Sequence, residues 1–253
     1  MFLKTLEGVL VPFLGTTLGA ACVFFMKGSN KEKNNGILTG FAGGVMIAAS
    51  VFSLIIPAIE QSERLGRFAF IPASVGFLTG VFFLVLIDNI IPFDGESGEN
   101  TDKVRTLKLS AAVTIHNLPE GMAVGIIYAG CLFGKGSISF ADAFALSVGI
   151  ALQNFPEGAI VSMPLSEAGM SKGRAFLYGS LSGIVEPAGA VLTLFAARFF
   201  LPLMPYFLSF AAGAMFYVVI EELIPGKSEG NPTLATVFFA LGFLIMLALD
   251  TGL

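Results

Sequence analysis

Residues 140–164 read FADAFALSVGIALQNFPEGAIVSMP, an apolar run interrupted near its middle by Gln153, Asn154, Pro156 and Glu157. A helix needs about 20 mainly apolar residues to cross the hydrocarbon core of a bilayer, and this stretch has that length. A glutamate at the centre of such a helix costs several kcal/mol unless something partners it. The run therefore predicts a membrane-spanning helix together with a reason to keep a carboxylate inside it.

Runs of the same kind fill the rest of the 253-residue chain, of which 55 % is hydrophobic and only 13 % charged. A mean hydropathy of +0.84 argues against a water-solvated surface. We read eight spans, at approximately 3–26, 37–60, 69–91, 106–129, 140–164, 173–199, 203–225 and 232–251. Continuous apolarity, without strict alternation, excludes a membrane barrel. The fold class is all-α, a polytopic membrane protein with a single transmembrane domain over 1–253. Lys4 and the run after it resemble a signal peptide, but no A-x-A site follows and the run is read as the first span. The net charge of −4 comes from acidic loops and intramembrane carboxylates, and with no basic patch a nucleic-acid partner is not expected. Cys22 and Cys131 fall towards opposite membrane faces on this topology, so no disulfide is expected.

Orientation follows from the 14 Lys and Arg residues. The breaks after spans one, three, five and seven hold Lys27, Lys31, Lys33, Lys103, Arg105, Lys108, Lys172, Arg174 and Lys227. The other side holds Lys4, Arg64, Arg67, Lys135 and Arg198. This nine-to-five split places both termini outside the cytoplasm.

Two layers of internal similarity organise the spans. Phe41-Ala-Gly-Gly-Val-Met46 in span two recurs as Phe210-Ala-Ala-Gly-Ala-Met215 in span seven, and Gly80 to Asp88 in span three parallels Gly242 to Asp250 in span eight. Spans one to three (repeat one, 1–91) and six to eight (repeat two, 173–253) thus read as copies of one unit, inverted in the membrane because the copies begin an odd number of spans apart. The central helices, 106–164, carry the second repeat, Asn117-Leu-Pro-Glu-Gly121 and Asn154-Phe-Pro-Glu-Gly158.

Chemistry concentrates there. His116 and Glu120 stand four apart, one helical turn on one face, and Gln153 and Glu157 repeat the spacing, so each pair can reach one ion. The proline before each glutamate removes a backbone donor and frees the carbonyls of Ile115 and Leu152, which predicts broken helices at membrane depth. Span six adds Glu186-Pro187, a third carboxylate near the middle of a span. No Lys or Arg occupies the middle of any span, so the missing counter-charge is a cation or protons. Imidazole with carboxylate and amide oxygens suits zinc, iron or manganese, whereas calcium would want oxygen alone. Met46 reads either as core filler or as a soft auxiliary ligand. Gly40, Gly43 and Gly44 read as close-packing positions.

These paired segments, with Glu186, resemble the H-N-x-P-E-G and Q-[DN]-x-P-E-G signatures of the ZIP (ZRT/IRT-like) metal transporters, in their bacterial GufA-like branch. The resemblance covers the whole chain and implies eight helices in a three-two-three arrangement, both ends extracytoplasmic, in a homodimer within the cell membrane, the bacterial inner membrane. It implies a first metal site of His116, Glu120, Gln153 and Glu157, with Met46 near its mouth. A second site would use Asn117, Asn154 and Glu186, with Glu120 and Glu157 bridging. It further places Ser53, Glu60 and Asp250 along the outer approach and Asp88, Glu221 and Glu222 along the cytoplasmic exit. Two departures stand out: Asn154 replaces the aspartate of some relatives, and the loop between spans three and four lacks a histidine cluster.

The expected activity is transport of divalent transition metal ions towards the cytoplasm, zinc foremost and cadmium, iron and manganese besides, with the metal as substrate rather than cofactor. The rival from another class is an intramembrane metal-dependent hydrolase, although the sequence has no H-E-x-x-H. The predicted orientation is checked by cysteine labelling in intact cells. A cysteine placed between Lys31 and Asn35 is protected from an impermeant thiol reagent and one at Ser137 reacts. The opposite pattern reverses the route.

Overall fold

The computed structural model describes residues 2–25, 31–90, 101–133, 139–224 and 232–252. Among these residues every regular element is helical. In chain order they are α1 (Phe2–Ala20), α2 (Cys22–Phe25), α3 (Lys31–Ala49), α4 (Ile56–Glu60), α5 (Phe70–Ile90), α6 (Thr101–Phe133), α7 (Phe140–Glu167), α8 (Lys172–Ser182), α9 (Val185–Phe195), α10 (Ala197–Phe200), α11 (Met204–Val218) and α12 (Pro232–Gly252). Short 3₁₀ turns at Glu63–Phe68 and Leu201–Leu203 serve as connectors.

Seven helical segments among the described residues are long and apolar enough to cross a membrane: Leu3–Phe25, Gly36–Glu60, Phe70–Ile87, Phe140–Glu167, Lys172–Phe195, Met204–Glu221 and Pro232–Gly252. The span expected over 106–129 corresponds to α6, whose described apolar part, Asn117–Phe133, is shorter. Large apolar side chains such as Phe82, Phe195 and Leu244 point outward, as they do where the surrounding solvent is lipid.

The stretch 140–164 forms α7, which starts with a capping box: Ser139 Oγ accepts from Asp142 N at 3.1 Å, and Asp142 Oδ2 accepts from Ser139 N at 2.9 Å. Of the two carboxylates within 140–164, then, Asp142 caps the helix end, and only Glu157 sits inside the apolar run. The breaks expected at Pro119 and Pro156 are absent: α6 and α7 run through both. Each proline deletes a single N–H, and the remaining ladder carries the helix across that gap.

Helix packing is reciprocal. The closest partners are α3 with α12, α5 with α11, α1 with α7, and α6 with α9, while α3 with α7 and α6 with α11 join these pairs more lightly. Backbone-to-backbone approach sets the pairs. A Cβ on Gly80 would strike the carbonyl of Phe210, and one on Gly242 that of Phe41. Likewise Gly44 lies against the carbonyl of Phe239 and Gly213 against that of Phe77. These are the repeated positions of the sequence, meeting one another twice.

The repetition extends to an irregularity. α3 continues into a π-helical turn, Ser50–Ile55, and α11 into another, Val219–Leu223. Each follows the repeated Phe-to-Met motif at the same distance. In the first, Ser50 Oγ donates to the Met46 carbonyl at 2.7 Å.

With a carbonyl in the way, a branched side chain at either crossing forces the helices apart. Gly44→Val and Gly213→Val should each lower the thermal midpoint in detergent, the cost of overpacking being about 1–3 kcal/mol. Gly173→Ala, where a Cβ meets open space, should leave it unchanged or slightly raised. An unchanged midpoint for both valine variants would show that the crossings are loose.

Candidate metal site

Helices α6, α7 and α9 bring the motif residues together. Asn117 and Glu120 come from α6, Gln153, Asn154 and Glu157 from α7, and Glu186 from the first turn of α9. Asn117, Gln153 and Asn154 are fully buried, Glu120 and Glu186 are 1 % exposed, and Glu157 is 6 % exposed. These are polar groups almost wholly enclosed by protein.

Span six is broken beside Glu186. α8 ends at Ser182, Gly183 caps it, and α9 starts at Val185. Pro187 has no N–H to give the Gly183 carbonyl, which accepts instead from Glu186 N at 3.1 Å. The carboxylate thereby lands at a helix N-terminus, where the macrodipole favours negative charge.

Glycines permit the closeness. A Cβ on Gly121 would strike the carbonyl of Glu186, and one on Gly158 the carbonyl of Thr16. Both glycines close an N-x-P-E-G motif, so each motif is pressed against one backbone, α9 for the first and α1 for the second.

The side chains link across these contacts. Gln153 Nε2 donates to Glu120 Oε1 at 2.6 Å, joining the two motifs. Asn117 Nδ2 donates to Glu186 Oε1 at 3.1 Å and lies 3.5 Å from the Ser182 carbonyl. Thr16 Oγ1 donates to the same Glu186 oxygen at 2.9 Å. Among the described residues no three Asp, Glu, His or Cys side chains converge as ligands of one ion. Glu120 leans on the Gln153 amide, and Glu186 on the Asn117 amide and the Thr16 hydroxyl.

Acceptors are left over. Asn117 Oδ1, Glu120 Oε2, Gln153 Oε1, Asn154 Oδ1 and Glu186 Oε2 are buried with no hydrogen-bond partner. Buried acceptors of this kind are normally answered by a donor or an ion.

The remaining sequence expectations fall as follows. His116 occupies α6 one turn before Glu120, and its side chain lies outside the described residues, as do those of Asp88 and Glu222. Met46 is 1 % exposed in the apolar core. Ser53 and Asp250, from the two ends of the chain, do meet: Ser53 Oγ donates to Asp250 Oδ1 at 2.6 Å. Glu60 and Glu221 are exposed at the end of α4 and on the second π-helical turn. Cys22 and Cys131 are free. Sequence reasoning missed Thr16; its signal was a pair of hydroxyls, Thr16 and Thr17, inside an apolar span. It also missed the break at Gly183, signalled by a glycine four residues before Pro187.

The chain is similar to known zinc transporters. The family model described as ZIP zinc transporter matches residues 94–250. Zinc transporter ZIP11 of Xenopus tropicalis is 36 % identical, covering 99 % of this chain and 97 % of its own. The human protein of that name is 35 % identical with the same coverage. Zinc transporter GufA of Myxococcus xanthus is 34 % identical over 94 % of each chain.

Clustered buried carboxylates predict a stability signature. Glu120→Gln and Glu157→Gln each remove one like charge at constant volume, so each should raise the metal-free thermal midpoint by a few degrees, about 1 kcal/mol. Each should also lose the stabilisation that added zinc gives the wild type. A lower metal-free midpoint in both variants would show that the two glutamates brace the fold.

Proposed function

The chain belongs to the ZIP zinc transporter family, and from that premise we propose that it moves divalent transition metal ions, zinc foremost, into the cytoplasm through the buried cluster on α6, α7 and α9. One observation carries the assignment. Five buried acceptor oxygens there lack donors, and no Lys or Arg lies mid-span to supply them. A low-dielectric site that presents acceptors and negative charge selects a cation.

The proposed first site uses His116, Glu120, Gln153 and Glu157, with Met46 at its mouth. The Gln153–Glu120 hydrogen bond supports it, because it unites the two motifs. The proposed second site uses Asn117, Asn154 and Glu186, with Glu120 and Glu157 shared, and the Asn117–Glu186 contact supports that grouping. Mixed nitrogen and oxygen donors fit zinc, with cadmium, iron and manganese as further substrates.

The ion's proposed route enters past Ser53, Glu60 and Asp250 and leaves past Asp88, Glu221 and Glu222. The Ser53–Asp250 hydrogen bond supports the outer part. The proposed topology has eight spans in a three-two-three order with inverted repeats and both termini extracytoplasmic. Reciprocal packing and the paired π-helical turns are what inverted copies would produce. The helices then divide into a group of spans one, four, five and six and a group of spans two, three, seven and eight. Packing is heavy within each group and lighter between them. Sliding of one group on the other exposes the site alternately to each side. A homodimer in the cell membrane follows from the family resemblance. The hydrolase reading gains nothing from the relatives, which are named as zinc transporters.

Zinc uptake into proteoliposomes tests the assignment. His116 is the one histidine of the chain, so His116→Ala should lower uptake at subsaturating zinc by at least about tenfold. Its thermal unfolding in the absence of metal should match the wild type. Normal uptake by this variant overturns the first site.

A further inference from the structure

We propose that Thr16, on the first span, is a positioning residue for the metal site: it holds the Glu186 carboxylate with one oxygen occupied by protein donors and the other free for the ion. The proposal rests on the reading of Glu186 as a metal ligand.

The geometry is specific. Thr16 is fully buried, and its hydroxyl and the Asn117 amide donate to one and the same oxygen, Glu186 Oε1, at 2.9 and 3.1 Å. Glu186 Oε2 has no hydrogen-bond partner at bonding geometry, although the Asn154 side chain lies near the carboxylate. Two donors from two different helices fix both the tilt and the rotation of the carboxylate, so the unpartnered oxygen has a defined direction. With one donor removed, the group can swing about the remaining bond.

Thr16 is itself held by the fold. A Cβ on Gly183 would come within 2.8 Å of the Thr16 side chain, so the break between α8 and α9 packs directly on the hydroxyl-bearing group. Its backbone is anchored separately, by the approach of the Thr16 carbonyl to Gly158. Glu186 makes the matching approach to Gly121. Thr16 therefore stands to the second N-x-P-E-G motif as Glu186 stands to the first. Two structurally equivalent positions meet at the site, and the chain places an acid at one and a neutral donor at the other. The donor then serves the acid. α1 packs chiefly on α7, and α9 on α6. The Thr16–Glu186 hydrogen bond thus ties one helix pair to the other at the ion's level.

The test measures zinc uptake by the full-length protein in proteoliposomes, with KM and maximal rate separated, and the metal-free thermal midpoint in detergent. Thr16→Val keeps the shape and removes the donor. It should raise KM roughly tenfold, the scale of a lost hydrogen bond to a charged group, with little change in midpoint. Thr16→Ser should stay within about twofold of wild type. Thr17→Val, at a neighbouring hydroxyl without a hydrogen-bond partner, should not change KM. If Thr16→Val does not fold, Thr16→Ala against Thr16→Ser isolates the hydroxyl, since both lose the methyl group. A wild-type KM for Thr16→Val overturns the proposal, as does an equal defect in Thr16→Ser, provided that Glu186→Gln is impaired. Normal uptake by Glu186→Gln instead overturns the ligand reading on which the proposal stands.

Discussion

At mid-membrane no water is present to satisfy a polar atom, and every other feature of this protein answers to that constraint. Three glutamates, two asparagines and a glutamine are buried at one level of α6, α7 and α9. The hydrogen bonds of Asn117, Glu120, Gln153 and Glu186 run to another of their number, to a hydroxyl, or to a carbonyl exposed at a helix break. An arginine or lysine would have balanced the charge permanently. Neutral donors satisfy only part of it, and the acceptors that remain define what can bind.

Such a site demands close helices, since short side chains must reach across. The chain meets this with glycines facing carbonyls, and it does so twice over, in positions related by the internal repeat. Gly121 and Gly158 place backbones beside the two motifs, while Gly44, Gly80, Gly213 and Gly242 lock the other helices in pairs. Without a hydrophobic drive between helices in lipid, this backbone contact is the main source of cohesion. It also leaves many large apolar side chains, Phe82, Phe195 and Leu244 among them, free to face outward. Glycines in these runs thus have a tertiary role that helix propensity alone would count against them.

Much of this was legible in the sequence because the bilayer imposes a length on its helices and a penalty on their charges. The apolar spans and the repeated Phe41 and Phe210 motifs have periodic signatures. What escaped has none. Thr16 looks like any tolerated hydroxyl in an apolar run until a partner 170 residues away is placed beside it. The π-helical turns at Ser50–Ile55 and Val219–Leu223 add one residue per turn without any breaker residue to mark them. Proline misled in the other direction. Pro119 and Pro156 leave α6 and α7 continuous, whereas the real break comes where Pro187 follows Gly183 and two weakening residues act on the same turn.

The asymmetry at the centre is the point at which fold and chemistry meet. The two N-x-P-E-G motifs contribute equally, one carboxylate and one amide each, but their backbone neighbours do not: Glu186 lies against the first and Thr16 against the second. On the proposed ligand set the site then carries three negative charges. One divalent ion leaves a single charge over, whereas two leave a single positive charge and set the ions against each other at short range and low dielectric. Neutral Asn154, where some relatives have aspartate, pushes the balance further towards one ion. In the proposed mechanism, a site that keeps one negative charge over holds the metal while the helices move, and the carboxylates of the proposed exit compete for it.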